Sequence, residues 1–521
     1  MKLIATIGSI VLSAITITPN VAAGPAFRVE EATITNIEKA IHERQITCRQ
    51  LVQDYLDRIA AYDHKGPSLN AILTPNSQAL AQAERLDADF ARSGPVGPLH
   101  CIPLVLKDNY NTADMPTTGG SASLAGAQPV SDAFVVARLR KAGAIILGKS
   151  NMQEFAQGGV TISSLGGQTL NPFDLTRTPG GSSGGTGAAV AANLCAAGTG
   201  SDTVNSIRSP ASANSLVGIR PTRGLLSRAG IMPVSETQDA IGPIARTVAD
   251  AARILQVMAG YDPNDPPTAW SIGNAPADYT TFLKKDGLRD VRIGVLRAML
   301  GVGPENQQVN AVMAAAIAAM KKAGAVIVEV DAPALDAAKL IEDNDVQKYE
   351  FRALINAYLS TIPNAPVKSL SEIIASEKFH KAALEKFLVT AEGYQNGMEE
   401  SDYKERLLRN QRTRQALVSL MAEHQLDALV YPEQKRLVVP VGELNQADRT
   451  GILAAVTGFP AITVPAGFSE PSTTAPLGVP VGMDILGRPW SEGRLIQFAY
   501  SFEQATHYRK PPSGTPPRHT N

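Results

Sequence analysis

The chain has 521 residues, 44% of them hydrophobic and 19% charged, with a formal net charge of −1. That balance excludes a disordered chain and gives no electrostatic case for a nucleic-acid partner. The three cysteines, Cys48, Cys101 and Cys195, are too few for a disulfide scaffold. They are expected as small buried hydrophobes, and a single bridge is compatible with the count but has no deducible partners. No CxxC, HxH or HxxxH spacing occurs, so no metal site is expected.

The chain opens with "MKLIATIGSIVLSAITITPNVAAGPAF". One lysine, an apolar run and a Val-x-Ala ending at Ala23 read as an export signal over residues 1–23. No later segment is apolar enough to span a membrane, so none is expected to remain after cleavage. The predicted location is therefore periplasmic or secreted. Residues 34–62 carry apolar side chains at helical spacing and predict two helices, the second capped by Thr47. "NAILTPN" predicts a strand, residues 76–92 a helix, and "CIPLVLKDNY" an apolar strand ending at Lys107 and Asp108. "DAFVVARLRKAG" then "AIILGKS" predict a helix leading into a buried strand.

The stretch "TPGGSSGGTG" follows, at residues 178–187. A phosphate loop needs a lysine after its glycines, and none is present. A dinucleotide fingerprint needs GxGxxG and a downstream acidic residue, and the match is poor. A linker would be followed by a boundary, whereas an Ala-rich helix over residues 186–197 is expected to start at once. The chemical reading takes Ser182 together with Ser206 in "GSDTVNSIRSP". A serine nucleophile needs a base, and no histidine is placed to serve. Lys107, at the end of an apolar strand, is the candidate, because burial lowers a lysine's pKa toward neutrality. Neutral Lys107 would take a proton from Ser182, and Ser182 from Ser206.

Asp202 and Arg208 flank Ser206 and are expected as a charge pair holding its loop, rather than a surface pair. Ser183 and Thr186 are expected to cap the helix. Tyr110 and Met115 read equally as pocket lining or as packing. Gln238 and Asp239 are candidates for bracing the loops. Further on, "VRIGVLR" and "AVIVEV" flank the helix "NQQVNAVMAAAIAAMKKAG", and "LDALVYP" and "PAITVPAG" add strands. Between about 340 and 423 strands give way to polar helices, read as an insertion on the core. Residues 516–521 read as a flexible tail. The fold class expected is α/β: a single large mixed β-sheet covered by helices on both faces.

"GGSSGG", "GSDTVNSIRSPAS" and "VGIRPTRGLLSRAGIMPVSETQDAIGPIARTVADAARIL" resemble the amidase signature family, as do "GPLHCIPLVLKDNYNTADMPTTGGS" and "TGFPAITVPAG". The resemblance covers residues 24–515 and is weakest between about 270 and 420. "GGQTLNPF" and "TQDAIGP" lean toward exported peptide amidases. It implies a Ser–Ser–Lys triad: Ser206 as nucleophile, Ser182 as proton bridge after a cis peptide at Gly181, and Lys107 as base. It implies an oxyanion hole of backbone N–H groups at Thr203, Val204, Asn205 and Ser206. The implied activity is hydrolysis of a small-molecule or peptide amide without a cofactor. An amidotransferase-type subunit, an esterase and a catalytically silent binding homologue are the alternatives. The family has two glycines where this chain has Val204 and Asn205. The substitution is expected to restrict the turn, narrow the acyl pocket and alter selectivity.

Overall fold

The computed structural model describes residues 27–517. The expected signal at 1–23 lies outside the described residues, as do the last four residues of the tail. Pro516, where the tail begins, accepts hydrogen bonds from Arg58 Nη1 and Tyr62 Oη at 3.1 and 2.8 Å.

One mixed sheet of 11 strands forms the centre. In chain order its strands are β1 (Ile72–Pro75), β2 (Pro103–Lys107) and β3 (Ile145–Ser150). After a small hairpin, β4 (Ile162–Ser163) and β5 (Gly167–Gln168), come β6 (Ala197–Asp202), β7 (Val217–Arg220) and β8 (Ala240–Ala245). The remainder are β9 (Arg292–Leu296), β10 (Val326–Val330), β11 (Ala428–Pro432), β12 (Ala461–Phe468) and β13 (Pro480–Leu486). Their order across the sheet is β1-β3-β2-β6-β8-β7-β12-β13-β11-β9-β10. β2 runs parallel to both β3 and β6, while β6 pairs antiparallel with β8.

The apolar strands β2, β3, β9, β10, β11 and β12 lie where their sequences place them, and the two N-terminal helices span Ile34–His42 and Cys48–Tyr62. Thr47 accepts a hydrogen bond from Gln50 N at 3.1 Å, as its capping pattern predicts. The expected Ala-rich helix over 186–197 needs correction. The helix is Gly184–Ala191, and Ala197 already begins β6. "AGTGSD" has no β-branched run, but every residue of β6 is buried. Small side chains are needed because the helix lies close upon it: a methyl on Gly198 would meet the Thr186 methyl at 2.6 Å. From Ala337 to Glu423 the chain is helical, with long helices at Gln347–Ser360, Lys381–Gly393 and Ser401–Glu423.

Cys48 and Cys101 form a disulfide, with Cα atoms 5.3 Å apart, while Cys195 is free and buried. The expectation of three plain hydrophobes is corrected for the first two. The two lie 53 positions apart in sequence, and only the fold brings them together. His100 joins them as the one group of possible metal ligands among the described residues, but the two sulfurs are already bonded to each other. No described helix is long and apolar enough to cross a membrane.

Candidate active site

Lys107 is the last residue of β2 and is wholly buried. Its Nζ donates to Ser182 Oγ at 2.7 Å, to Ser201 Oγ at 2.8 Å and to Ser201 O at 3.3 Å. No carboxylate lies within 4.0 Å of it among the described residues. Burial pulls its pKa down to about 7, against smaller upward effects from Asp202 and Asp239. A lysine in this state is neutral in roughly half the molecules at neutral pH and can accept a proton.

Ser182 is presented by the glycine-rich turn. The Gly181–Ser182 peptide is cis, and Gly180 has φ +72°, a conformation that favours glycine. A methyl on Gly181 would meet the backbone of Gly159 at 2.8 Å, so the two loops touch without side chains between them. Ser183, expected to cap the helix, makes no capping bond. Its hydroxyl donates to Ser206 O at 2.5 Å, tying the Ser182 loop to the Ser206 loop. Thr186 shares a hydrogen bond with Ser150 Oγ at 2.7 Å and donates to Thr199 O at 3.0 Å. It locks the helix to the strands instead of capping it.

Ser206 follows β6 on a turn and is 4% exposed. The backbone N–H groups of Thr203, Val204, Asn205 and Ser206 donate to no described residue. Four free donors in a buried turn are costly unless a ligand oxygen or water meets them. Neither Val204 nor Asn205 has a positive φ, so the turn accepts both without the strain expected of non-glycine residues. Asn205 is fully buried and faces Gly451, where a methyl would meet its Cβ at 2.5 Å. Asn205 therefore packs against Gly451 on at least one side of the turn.

The turn is braced by charge. Asp202 accepts from Ile207 N at 3.1 Å, from Arg208 Nε and Nη2 at 3.1 and 3.2 Å, and from Arg220 Nη1 at 2.9 Å. Arg208 also pairs with Asp484 at 2.7 Å and donates to Val204 O at 2.6 Å. All four charged side chains are fully buried. Gln238 Nε2 donates to Thr203 O at 3.2 Å, and Asp239 accepts from Thr203 Oγ1 at 2.6 Å. Tyr110 and Met115 are buried, and Tyr110 Oη donates to Gly200 O at 2.5 Å, which is packing.

Ser201, Arg220 and Asp484 escape a sequence reading. Ser201 sits one residue before Asp202 inside a strand of small residues, and only the fold turns it toward Lys107. Asn109 Nδ2 also donates to Ser201 Oγ, at 2.9 Å. A cavity of about 380 Å³ opens beside this group, with Ser201, Asn109 and Thr203 on its inner wall.

The arrangement agrees with what the chain resembles. The family model described as Amidase matches residues 50–496. A probable amidase of Arabidopsis thaliana is 37% identical over 506 residues, covering 93% of this chain and 92% of the relative. A glutamyl-tRNA(Gln) amidotransferase subunit of Moorella thermoacetica is 35% identical over 491 residues, covering 92% and 97%. Among solved structures, native peptide amidase from Stenotrophomonas maltophilia superposes with a TM-score of 0.83 at 39% identity, covering 92% of this chain and 98% of that one. The chain belongs to the amidase family and is an amide-hydrolysing enzyme.

Proposed function

We propose that this is an exported hydrolase of linear amides that works through an acyl-enzyme on Ser206. The observation that carries the reading is the Lys107–Ser182 hydrogen bond at 2.7 Å, made by a lysine that no carboxylate neutralises. Ser206 Oγ attacks the amide carbon while its proton passes to Ser182, and the Ser182 proton passes to Lys107. The carbonyl oxygen becomes an oxyanion held by the free N–H groups of Thr203 to Ser206. Lys107 returns the proton through Ser182 to the leaving nitrogen, and ammonia or an amine departs. Water then cleaves the ester by the same route, restoring Ser206. Asp202, Arg208 and Arg220 hold the turn in place throughout.

Export is supported by the leader-like residues 1–23 and by the Cys48–Cys101 disulfide, which persists in oxidising compartments. Likeness to a peptide amidase supports peptide C-terminal amides as one substrate group. Likeness to amidotransferase subunits keeps a second reading, in which the chain needs partner chains to act.

The test incubates the chain from Gly24, and its Ser206→Ala form, with peptide amides, aliphatic amides, anilides and matching esters, read by mass spectrometry. Turnover by the isolated chain and none by Ser206→Ala is the expected result. Turnover only after partner chains are added would favour the second reading, and equal turnover by both forms would remove Ser206 as nucleophile.

A further inference from the structure

Arg449 lies in the segment that returns from β11 to the helix Ile452–Thr457, bridged to Gln434 across a short antiparallel pair. Its surroundings place it beside both catalytic loops. On one side its stem and guanidinium lie over Gly159, where a methyl would sit 3.5 Å from Cδ and 3.7 Å from Nη1. Gly159 is the residue whose backbone touches Gly181, next to Ser182. On the other side, Gly451 packs against Asn205 and against Val204 O, next to Ser206. Arg449 therefore stands where the Ser182 loop and the Ser206 turn face each other. It is half-buried, while Ser182 and Ser206 are buried.

The guanidinium makes no hydrogen bond and no ion pair with a described residue. A half-buried arginine with its fork of donors unspent is unusual, because each unmet donor has lost part of its water. Two carboxyl groups come electrostatically close, Glu433 and Asp345. Asp345 accepts from Gln347 N and Nε2 at 3.2 and 2.9 Å and makes no ion pair with the guanidinium. Glu433 is fully buried, and burial together with the neighbouring Asp484 pushes its pKa far above the usual carboxylate range. It faces the Asn205 amide, and neither of these two side chains completes a well-formed hydrogen bond. The guanidinium of Arg449 thus keeps its hydrogen-bond donors unspent on any described residue, beside the turn that holds Ser206.

We propose that Arg449 binds a carboxylate carried by the substrate, so that the enzyme favours amides of acidic molecules. A carboxylate meets a guanidinium fork through paired, charge-assisted hydrogen bonds, which an uncharged group of the same size does not offer. The inference rests on the amide hydrolase reading above and narrows its substrate class.

The test uses matched amides: N-acetyl-glutamic acid α-amide against N-acetyl-norleucine amide, and succinamate against butyramide. Each is measured as kcat/KM with the wild type, Arg449→Met and Arg449→Lys, and each variant is melted to check its fold. The expected result is a wild-type preference for the acidic member of each pair. Arg449→Met should erase that preference, losing about 10-fold or more beyond its loss on the neutral member, mainly through KM. Arg449→Lys should recover part of it. A wild type that turns over amides without preferring the acids overturns the subsite and leaves the hydrolase reading standing. Equal losses on both members of a pair overturn it too, since they mark a merely structural arginine. A wild type that turns over no amide removes the hydrolase reading and the subsite with it.

Discussion

The ends of β2 and β3 hold two lysines in near-identical settings, used in opposite ways. The strands are parallel neighbours, with Lys149 paired to Leu106 and Lys107 to Ser150. Both side chains are fully buried, and burial lowers both pKa values. Lys149 has Asp108 at 3.2 Å, and also donates to Thr117 Oγ1 at 2.8 Å and Pro116 O at 3.1 Å. Asp108 in turn accepts from Thr118 N at 3.1 Å and Gly120 N at 3.2 Å. Through these contacts that lysine ties three chain segments together. Lys107 has only hydroxyls and a carbonyl within hydrogen-bond reach, with Asp202 and Asp239 acting more weakly from farther off. The difference lies in one carboxylate. A buried amine with an anionic partner is a structural tie, and one without is a candidate base.

Replacing each lysine by methionine should separate the two roles most sharply. Lys107→Met should lower kcat on amides by at least about 10³-fold, by analogy with the loss of other members of a nucleophile–base relay. Its thermal midpoint should not fall, because the substitution removes an amine that is costly to bury. Lys149→Met should do the reverse. It strands the Asp108 carboxylate and should destabilise the fold by roughly 3–5 kcal/mol in urea titration. A large activity loss with full stability in Lys149→Met would break the comparison.

The pH dependence sharpens it further. Lys107 serves as a base only when neutral, so kcat/KM should rise with pH through about 7 and level off above it. A stopped-assay profile from pH 5 to 9 reads this directly, and a flat profile would count against a lysine base. Stability carries the same sign. The folded pKa of Lys107 lies below the unfolded one, so its unfavourable contribution is full below about 7 and fades as pH rises toward 10.5. The smallest effect is expected at Ser201, which takes one of the Lys107 protons. Ser201→Ala should lower kcat about 5- to 10-fold, the worth of one hydrogen bond, and move the midpoint of the pH profile. A shift of the midpoint separates positioning from a plain packing loss.

Much of the periphery of this fold is readable from residue pattern. The strands "CIPLVLKDNY" and "AIILGKS" are apolar runs bounded by turns, and both lysines stand out at their ends. The centre is harder. β6 and β8 read "AGTGSD" and "AIGPIA", because a helix and neighbouring strands press too closely for larger side chains. A strand made of small residues has no period-2 signal, and so the position of Ser201 beside Lys107 stays hidden. Local chemistry and resemblance together suggest the roles of Ser206 and Ser182. Asp484 lies more than 240 residues from the turn whose Arg208 it pairs with, and nothing in its own surroundings marks it. The Cys48–Cys101 pair is hidden for the same reason, since a contact across the fold leaves no trace in either sequence neighbourhood.

The central claim is that Ser206 is made nucleophilic by a neutral Lys107 acting through Ser182. It is tested most directly by the rate of covalent labelling with a fluorophosphonate, followed across pH 5 to 9 by intact mass and located by peptide mapping. The account predicts one adduct, on Ser206, forming at a rate that rises through about pH 7 in the wild type and is reduced to a pH-independent trace in Lys107→Met. An adduct on another residue, or labelling of Lys107→Met at the wild-type rate, would contradict it.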